Sequence, residues 1–231
     1  MAQSVQSFSL IGINGFPVHI EVDLTNRLPA TIIVGLPGSA IRESTHRVRS
    51  AINSSDKPYP KKRVIINLAP ADVPKVGTAF DLPIAIGILL ADGQAKADRL
   101  AHSAFVGELS LDGTLRPIQG ALSIAIKAAE LGIKQLILPA ESAKEAAAVS
   151  DIEVLGAESL HQVTQWLDGK EALPQAEAPD CPPIISRTDM SEVRGQYQAR
   201  RGLEIAAAGG HNLLMVGVPG CGKTMLASRM P

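Results

Sequence analysis

Eight consecutive residues near the C-terminus have the spacing of a phosphate-binding loop, Gly-x4-Gly-Lys-Ser/Thr. The glycines of such a loop let backbone N–H groups approach an anion without a Cβ in the way. Lys223 is expected to reach the β- and γ-phosphates of a nucleotide, and the Thr224 hydroxyl to hold Mg²⁺. An ordinary Gly-rich turn is the alternative. The predicted nucleotide-binding residues are Gly217, Val218, Pro219, Gly220, Cys221, Gly222, Lys223 and Thr224.

The flanking sequence supplies the elements that this loop needs. The apolar run at residues 213–216 is typical of a buried parallel strand. Residues 224–230 are expected to begin a helix whose N-terminal end faces the phosphates. Strand, loop and helix together favour a nucleotide site over a simple turn.

Composition describes a compact protein and argues against several functional classes. The 231 residues are 45% hydrophobic and 19% charged, with a net charge of −1, so no global field draws the chain to nucleic acid. Aromatic residues make up 3%, which argues against a base-stacking surface. The longest apolar run, residues 82–91, is too short to span a bilayer, and the N-terminus lacks a secretory pattern. We therefore expect a cytoplasmic protein with no membrane contact.

Alternating strand and helix patterns predict an α/β domain over residues 1–168. Asn14-Gly15 and Asp112-Gly113 are expected to form hairpin turns, and Asp81 to cap a central helix. Strands are predicted at residues 5–11, 17–24, 30–34, 63–68, 104–109, 114–118, 135–138 and 152–155, and helices at 39–52, 82–91, 120–131, 141–149 and 159–167.

Two further segments follow this domain. Residues 169–188 are rich in proline and are expected to form an extended linker. Residues 190–208 are predicted to be helical, and a Gly-rich turn then leads into the strand before the phosphate loop.

Longer blocks of the sequence resemble a known family, the bacterial ComM/YifB family of magnesium-chelatase-like AAA+ proteins. The match covers nearly the whole chain except the linker. Val218 and Cys221 stand where relatives more often have Pro and Ser, but neither side chain is needed to cradle phosphate. The matching blocks include Gly35-Leu36-Pro37, Asn67-Leu68-Ala69-Pro70-Ala71-Asp72, Ala79-Phe80-Asp81-Leu82-Pro83-Ile84-Ala85 and Glu204-Ile205-Ala206-Ala207-Ala208-Gly209-Gly210-His211-Asn212.

The resemblance implies a Lon-protease-like domain, related to ribosomal S5 domain 2, over residues 1–168. It implies that residues 189–231 begin an incomplete P-loop AAA+ ATPase domain, with ATP and Mg²⁺ as cofactors. It further implies a hexameric, ATP-driven motor that migrates branched DNA during integration in natural transformation. A chelatase-type AAA+ remodelling subunit and a non-catalytic oligomerisation platform remain as alternatives.

The Lon likeness also raises peptide hydrolysis by a Ser-Lys dyad, which the residues argue against. Ala79 stands at the nucleophile position and Ile124 at the position of the lysine, while Lys127 points to another helix face. Thr78 carries a hydroxyl, but a nucleophile needs a base within hydrogen-bond reach. We expect no protease activity and no catalytic residue in this chain.

A basic cluster between positions 42 and 63 would suit phosphate contacts with a DNA duplex, without sequence-specific readout. In a hexamer the cluster would recur six times around the axis. A solvated helix face followed by a charged turn is the equally open alternative. The candidate DNA contacts are Arg42, Arg47, Arg49, Lys57, Lys61, Lys62 and Arg63.

ATP hydrolysis needs more than the phosphate loop. No acidic strand-end pair that would hold Mg²⁺ and activate water follows Thr224, and no arginine finger is recognisable. We therefore expect this chain by itself to be inactive as an ATPase.

Overall fold

The computed structural model describes residues 2–75, 77–178 and 189–230. The chain divides into two compact units, Met1–Pro179 and Asp180–Pro231. No helix in the described ranges is both long and apolar enough to cross a membrane.

A seven-stranded mixed sheet forms the centre of the first unit, and a separate two-stranded hairpin lies beside it. The sheet strands are β1 (Gln3–Ile11), β2 (Asn14–Thr25), β3 (Ala30–Val34), β4 (Arg63–Ala69), β5 (Ser103–Phe105), β8 (Gln135–Pro139) and β9 (Glu153–Ala157), and the hairpin strands are β6 (Glu108–Leu109) and β7 (Leu115–Arg116). The spatial order in the sheet is β3-β4-β2-β1-β5-β8-β9. The β1–β2 and β2–β4 pairs are antiparallel, and the other four pairs are parallel.

Helices cover both faces of this sheet. They are α1 (Ser39–Ser54), α2 (Asp81–Ala91), α3 (Ala121–Glu130), α4 (Ala140–Ala146) and α5 (Leu160–Leu167). One apolar core gathers α1, α2 and α5, and a second gathers α3 and α4. In β8, Ile137 belongs to the first core and its neighbours Leu136 and Leu138 to the second, as the alternation of side chains along a strand requires. The predicted α/β class is confirmed.

The first hairpin turns at a different place from the predicted one. Ile11 pairs with Asn14, so the two turn residues are Gly12 and Ile13, and Asn14-Gly15 lies within β2. Gly15 serves packing instead, because a Cβ there would lie 2.8 Å from the Cβ of Lys127 on α3. The prediction that Asn14-Gly15 forms the turn is therefore wrong. The glycine at position 15 instead leaves room for α3 to pack against β2.

The central helix α2 starts where the sequence predicts, but its first residue has another role. Every residue from Asp81 to Leu90 is buried. The N-cap position is Phe80, and no side chain caps the helix. The prediction that Asp81 is a cap is wrong, since its carboxylate forms an ion pair with α1.

The first unit extends into the segment predicted to be a linker. Leu173 is buried, and the N–H of Ala176 donates to the carbonyl oxygen of Val154 at 2.9 Å. The N–H of Gly156 donates to the carbonyl oxygen of Pro174, also at 2.9 Å. Residues 173–176 therefore line the outer edge of β9, while residues 179–188 of the predicted linker lie outside the described ranges.

The second unit is small and helical. A 3₁₀ turn (Met190–Glu192) precedes α6 (Tyr197–Gly209), and α7 (Lys223–Ala227) follows the phosphate loop. The helix predicted over residues 190–208 is interrupted, because Gly195 and Gln196 have φ angles of 71° and 52°. Val193, Leu203 and Leu226 form its core.

The predicted strand at residues 213–216 is not formed in the described structure, so this prediction is wrong here. Leu214 is 86% exposed and Val216 is 88% exposed. A strand needs neighbours that satisfy its N–H and C=O groups. No strand of the described residues pairs with this segment.

Candidate functional site

The phosphate loop occupies residues 217–224; residues 213–216 before it form no regular secondary structure, and its last two residues begin α7. Gly220 and Gly222 have φ angles of 82° and 87°, which only glycine adopts without strain. Gly222 is a fixed glycine of the motif, whereas Gly220 occupies one of its four variable positions. The backbone can therefore turn tightly at these two residues.

Lys223 folds back across this loop. Its Nζ donates to the carbonyl oxygens of Gly217 at 2.8 Å and Val218 at 2.9 Å, and lies 3.5 Å from Sγ of Cys221. Thr224 follows as an exposed residue of α7. The motif assigns the Lys223 ammonium to phosphate and the Thr224 hydroxyl to Mg²⁺. The two groups belong to adjacent residues at the start of α7.

A cavity of about 300 Å³ adjoins the loop within the second unit. One side is formed by α6 and the residue before it, and the other by residues 213–216 and Lys223. Nε2 of Gln196 donates to the carbonyl oxygen of Cys221 at 3.3 Å, which connects the start of α6 to the loop. Sequence reasoning did not identify this contact, because the two residues are distant along the chain.

A second cavity, of about 430 Å³, lies in the first unit between the end of β1, the loop before α2, β6 and the start of α3. Ala79 and Ile124 both line it, so the two positions of the Lon dyad are brought together. Lys127 does not line this cavity, and its Nζ lies 2.9 Å from Oε2 of Glu130. The expected absence of protease activity stays a prediction, and the two dyad positions on which it rests line one cavity.

Glu108 is a cavity residue that sequence reasoning missed. The Thr78 hydroxyl donates a hydrogen bond to the Glu108 carboxylate. Arg116 lies 3.9 Å from the other carboxylate oxygen. A single carboxylate in a short hairpin strand gave no recognisable signal in the sequence.

Some residues of the predicted DNA-contacting cluster bond to other residues of the first unit, and others are exposed. Lys62 forms an ion pair with Asp92 at 2.9 Å, and Nζ of Lys57 donates to the carbonyl oxygen of Gln94 at 2.7 Å. Arg63 is half-buried in β4. Exposed members of the cluster are Arg42, Arg49 and Lys61.

Arg47, also predicted to contact DNA, is used inside the fold. Its Nε donates to Oδ2 of Asp81 at 2.7 Å and its Nη2 to Oδ1 at 3.1 Å. A further bond runs from Nη2 to the carbonyl oxygen of Ala40 at 3.3 Å. The guanidinium of Arg47 therefore holds α1 to the start of α2, and its contact with DNA stays a prediction.

The carboxylate of this pair is completely enclosed. The Asp81 side chain is 1% exposed, and besides Arg47 it accepts from the N–H of Leu109 at 3.3 Å. Burial raises the pKa of Asp81 to about 6, although the hydrogen bonds from Arg47 and Leu109 oppose that rise. The hydrogen bond to Asp81 in turn raises the pKa of Arg47.

No three His, Cys, Asp or Glu side chains among the described residues are grouped so that they could hold a metal ion. The metal-contacting residue that the sequence suggests is Thr224, which would hold Mg²⁺ together with a nucleotide.

Two family models match the chain. Residues 20–142 match the model described as subunit ChlI of Mg-chelatase, and residues 189–231 match magnesium chelatase, subunit ChlI. The second match contains the whole phosphate loop.

Similar proteins extend well beyond the length of this chain. YifB of Salmonella typhimurium is 45% identical over 226 residues, which are 98% of this chain and 44% of that protein. Competence protein ComM of Haemophilus influenzae is 45% identical over 231 residues, 98% of this chain and 45% of that protein. Lon protease 1 of Hydrogenovibrio crunogenus is 32% identical over 143 residues, covering 58% of this chain and 17% of the protease. The chain thus spans less than half the length of its ComM and YifB relatives.

Proposed function

Because the chain belongs to the ComM/YifB family of magnesium-chelatase-like AAA+ proteins, we propose that the whole protein is an ATP-driven motor acting on DNA. Branched or duplex DNA is its proposed substrate, and a hexamer its proposed working form. The second unit contributes the nucleotide-binding loop, and the first unit contributes a surface for DNA.

The observation that carries this proposal is the phosphate loop with Lys223 folded across it. Residues 217, 218 and 220–222 carry backbone N–H groups, and the glycines at 217, 220 and 222 have no Cβ that would obstruct an anion. Lys223 would leave its two carbonyl acceptors for the β- and γ-phosphates, and Thr224 would hold Mg²⁺. Bound ATP supplies the phosphoryl transfer whose free energy drives movement. The residues present therefore fit the cofactor.

A proposed DNA-facing surface lies on α1 and the turn after it. Arg42 and Arg49 are both exposed and are seven residues apart, which places them on one side of α1 about 10 Å apart along its axis. The Arg49 guanidinium lies 5.5 Å from the centre of the Tyr59 ring, which steadies it without neutralising it. Exposed Lys61 follows. Such charges suit contacts with phosphates rather than with base edges.

The proposal is tested by ATP turnover of the full-length protein with and without DNA. We expect turnover to rise several-fold with a four-way junction and less with linear duplex, measured as phosphate release. Turnover that ignores every DNA would refute the DNA motor. Stimulation by a porphyrin-binding partner instead would favour the chelatase-type alternative. Both matching family models are described as a subunit of magnesium chelatase.

The basic surface makes its own prediction. Changing Arg42, Arg49 and Lys61 together to alanine should weaken duplex binding and flatten its salt dependence, by about 0.9 in the log–log slope for each lost phosphate contact. Binding is measured by fluorescence anisotropy across a salt series. Changing Lys96, Lys134 and Lys144, which are also exposed and in the first unit, removes the same charge elsewhere. Equal losses in both triple variants would assign the effect to net charge and rule out this surface.

A further inference from the structure

The cavity beside Ala79 and Ile124 has a polar group that the fold leaves unused. Ser9, near the end of β1, lines the cavity and is 8% exposed. Its hydroxyl makes no hydrogen bond with any described residue. Because Ser9 lines the cavity and its hydroxyl can both donate and accept, it is available to a ligand that enters there.

The remaining wall of the cavity is largely apolar. Phe8 and Ile124 are 0% and 2% exposed, and Leu10 and Ile118 are half-buried beside them. The volume of about 430 Å³ accommodates one large aliphatic or aromatic side chain together with the backbone groups on either side of it.

The polar groups of the wall select the chemistry of the occupant. They are the Glu108 carboxylate, the Ser9 and Thr78 hydroxyls and the Gln119 carboxamide. No Lys, Arg or His is among the described lining residues, so a phosphate or carboxylate ligand would find no counter-charge. A carboxylate that accepts, next to hydroxyls and an amide that both donate and accept, matches the N–H and C=O groups of a peptide.

We propose that this cavity binds an extended peptide segment through one large apolar side chain and does not cleave it. The side chain packs against Phe8 and Ile124, its backbone N–H donates to Glu108, and a neighbouring carbonyl accepts from Ser9. Ala79 and Ile124 offer no nucleophile and no base, while the Thr78 hydroxyl and the Glu108 carboxylate are hydrogen-bonded in the same cavity, so the absence of cleavage is part of what the experiment tests. This binding goes beyond the motor proposed above and depends on neither nucleotide nor DNA.

The test is an NMR titration of the 231-residue chain with the blocked tripeptide N-acetyl-Ala-Leu-Ala-amide. We expect saturable shifts of the amide signals of residues 8–10, 77–79 and 118–124, with millimolar affinity. The matching tripeptide with Asp in place of Leu should bind at least about tenfold more weakly, because its carboxylate would meet both Glu108 and the apolar wall.

Three variants locate the binding. Ala79→Phe should abolish it by filling the cavity, and Glu108→Gln should weaken it about fivefold by removing the charge from one hydrogen bond. Glu141→Gln, an exposed carboxylate on α4, should leave affinity unchanged. Thermal unfolding checks that each variant is folded. If Ala79→Phe does not fold, the affinity of Glu108→Gln decides whether the tripeptide binds in this cavity.

Four results would overturn the proposal. They are no saturable shift up to about 50 mM tripeptide, shifts centred on other residues, equal affinity for the Leu and Asp tripeptides, and competition by inorganic phosphate. Cleavage products of the tripeptide, detected by mass spectrometry, would show that the cavity is a catalytic site instead.

Discussion

Lys223→Ala in the full-length protein is expected to lower ATP turnover by about a hundredfold or more, the scale of losing one preorganised group that stabilises transition-state charge. Lys223 carries the one positive side chain within residues 217–224, and its Nζ already lies across the loop between two carbonyl oxygens. Alanine leaves the loop without a cation for the β- and γ-phosphates. Phosphate release at saturating Mg²⁺ and ATP measures the effect.

A matched lysine elsewhere separates this effect from a general loss of charge. Lys134 is exposed in the first unit, so Lys134→Ala should turn over ATP at the unaltered rate. Binding of a fluorescent ATP analogue to the Lys223 variant then tells lost affinity from lost chemistry. Normal turnover by Lys223→Ala would remove the phosphate loop from the mechanism and, with it, the proposed motor.

Local features of the fold were predictable from the residues themselves. The apolar stripe of α1, the all-apolar α2 and the strand at Ala30–Val34 follow from periodicity and length, because each signal is contained within one element. Gly222, which has a positive φ, occupies a fixed position of the phosphate-loop motif and was predictable in the same way. Residues 213–216 were predicted to be a strand but do not form one, because a strand depends on pairing with other strands.

Contacts between distant residues were beyond sequence patterns. Arg47 and Asp81 are 34 positions apart, so one was predicted to contact DNA and the other to cap a helix. Thr78 and Glu108 are 30 positions apart, and neither suggested the other. By contrast, the family resemblance assigned Ala79 and Ile124 to the two positions of the Lon dyad, and both residues line one cavity. An aligned motif carries three-dimensional information that composition and spacing lack.

The buried ion pair gives the largest expected change in stability. Arg47→Met keeps an unbranched apolar stem but leaves the enclosed Asp81 carboxylate without its cation, which is expected to cost about 3–5 kcal/mol of unfolding free energy near pH 8. Urea unfolding of the 231-residue chain, followed by the fluorescence of Trp166, measures it. Trp166 is the single tryptophan and is 4% exposed in the first unit, so its signal reports the unit that contains the pair.

The pH dependence of this loss has a definite sign. Burial raises the pKa of Asp81 from the ordinary 3.8 to about 6, so the folded state holds the proton more tightly than the unfolded state. The contribution of Asp81 to stability is therefore full below about pH 4 and falls as the pH rises through 6. Removing Arg47 removes the strongest opposition to that rise in pKa. The stability of Arg47→Met should thus continue to fall above pH 6, and its deficit should be smaller at about pH 5 than at about pH 8.

Two comparisons isolate the charge from the packing. Adding Asp81→Asn to Arg47→Met removes the titrating group, so the extra pH dependence should disappear while the Leu109 N–H keeps an acceptor. Lys127→Met breaks an ion pair of similar length, 2.9 Å, on the exposed side of α3, and should cost less than about 1 kcal/mol at either pH. An Arg47→Met deficit that is the same at both pH values would mean that the guanidinium contributes packing and hydrogen bonds, and that Asp81 is not charged in the folded protein. The ordering of the three variants therefore decides whether the α1–α2 contact is held by charge, since packing alone has no reason to change between the two pH values.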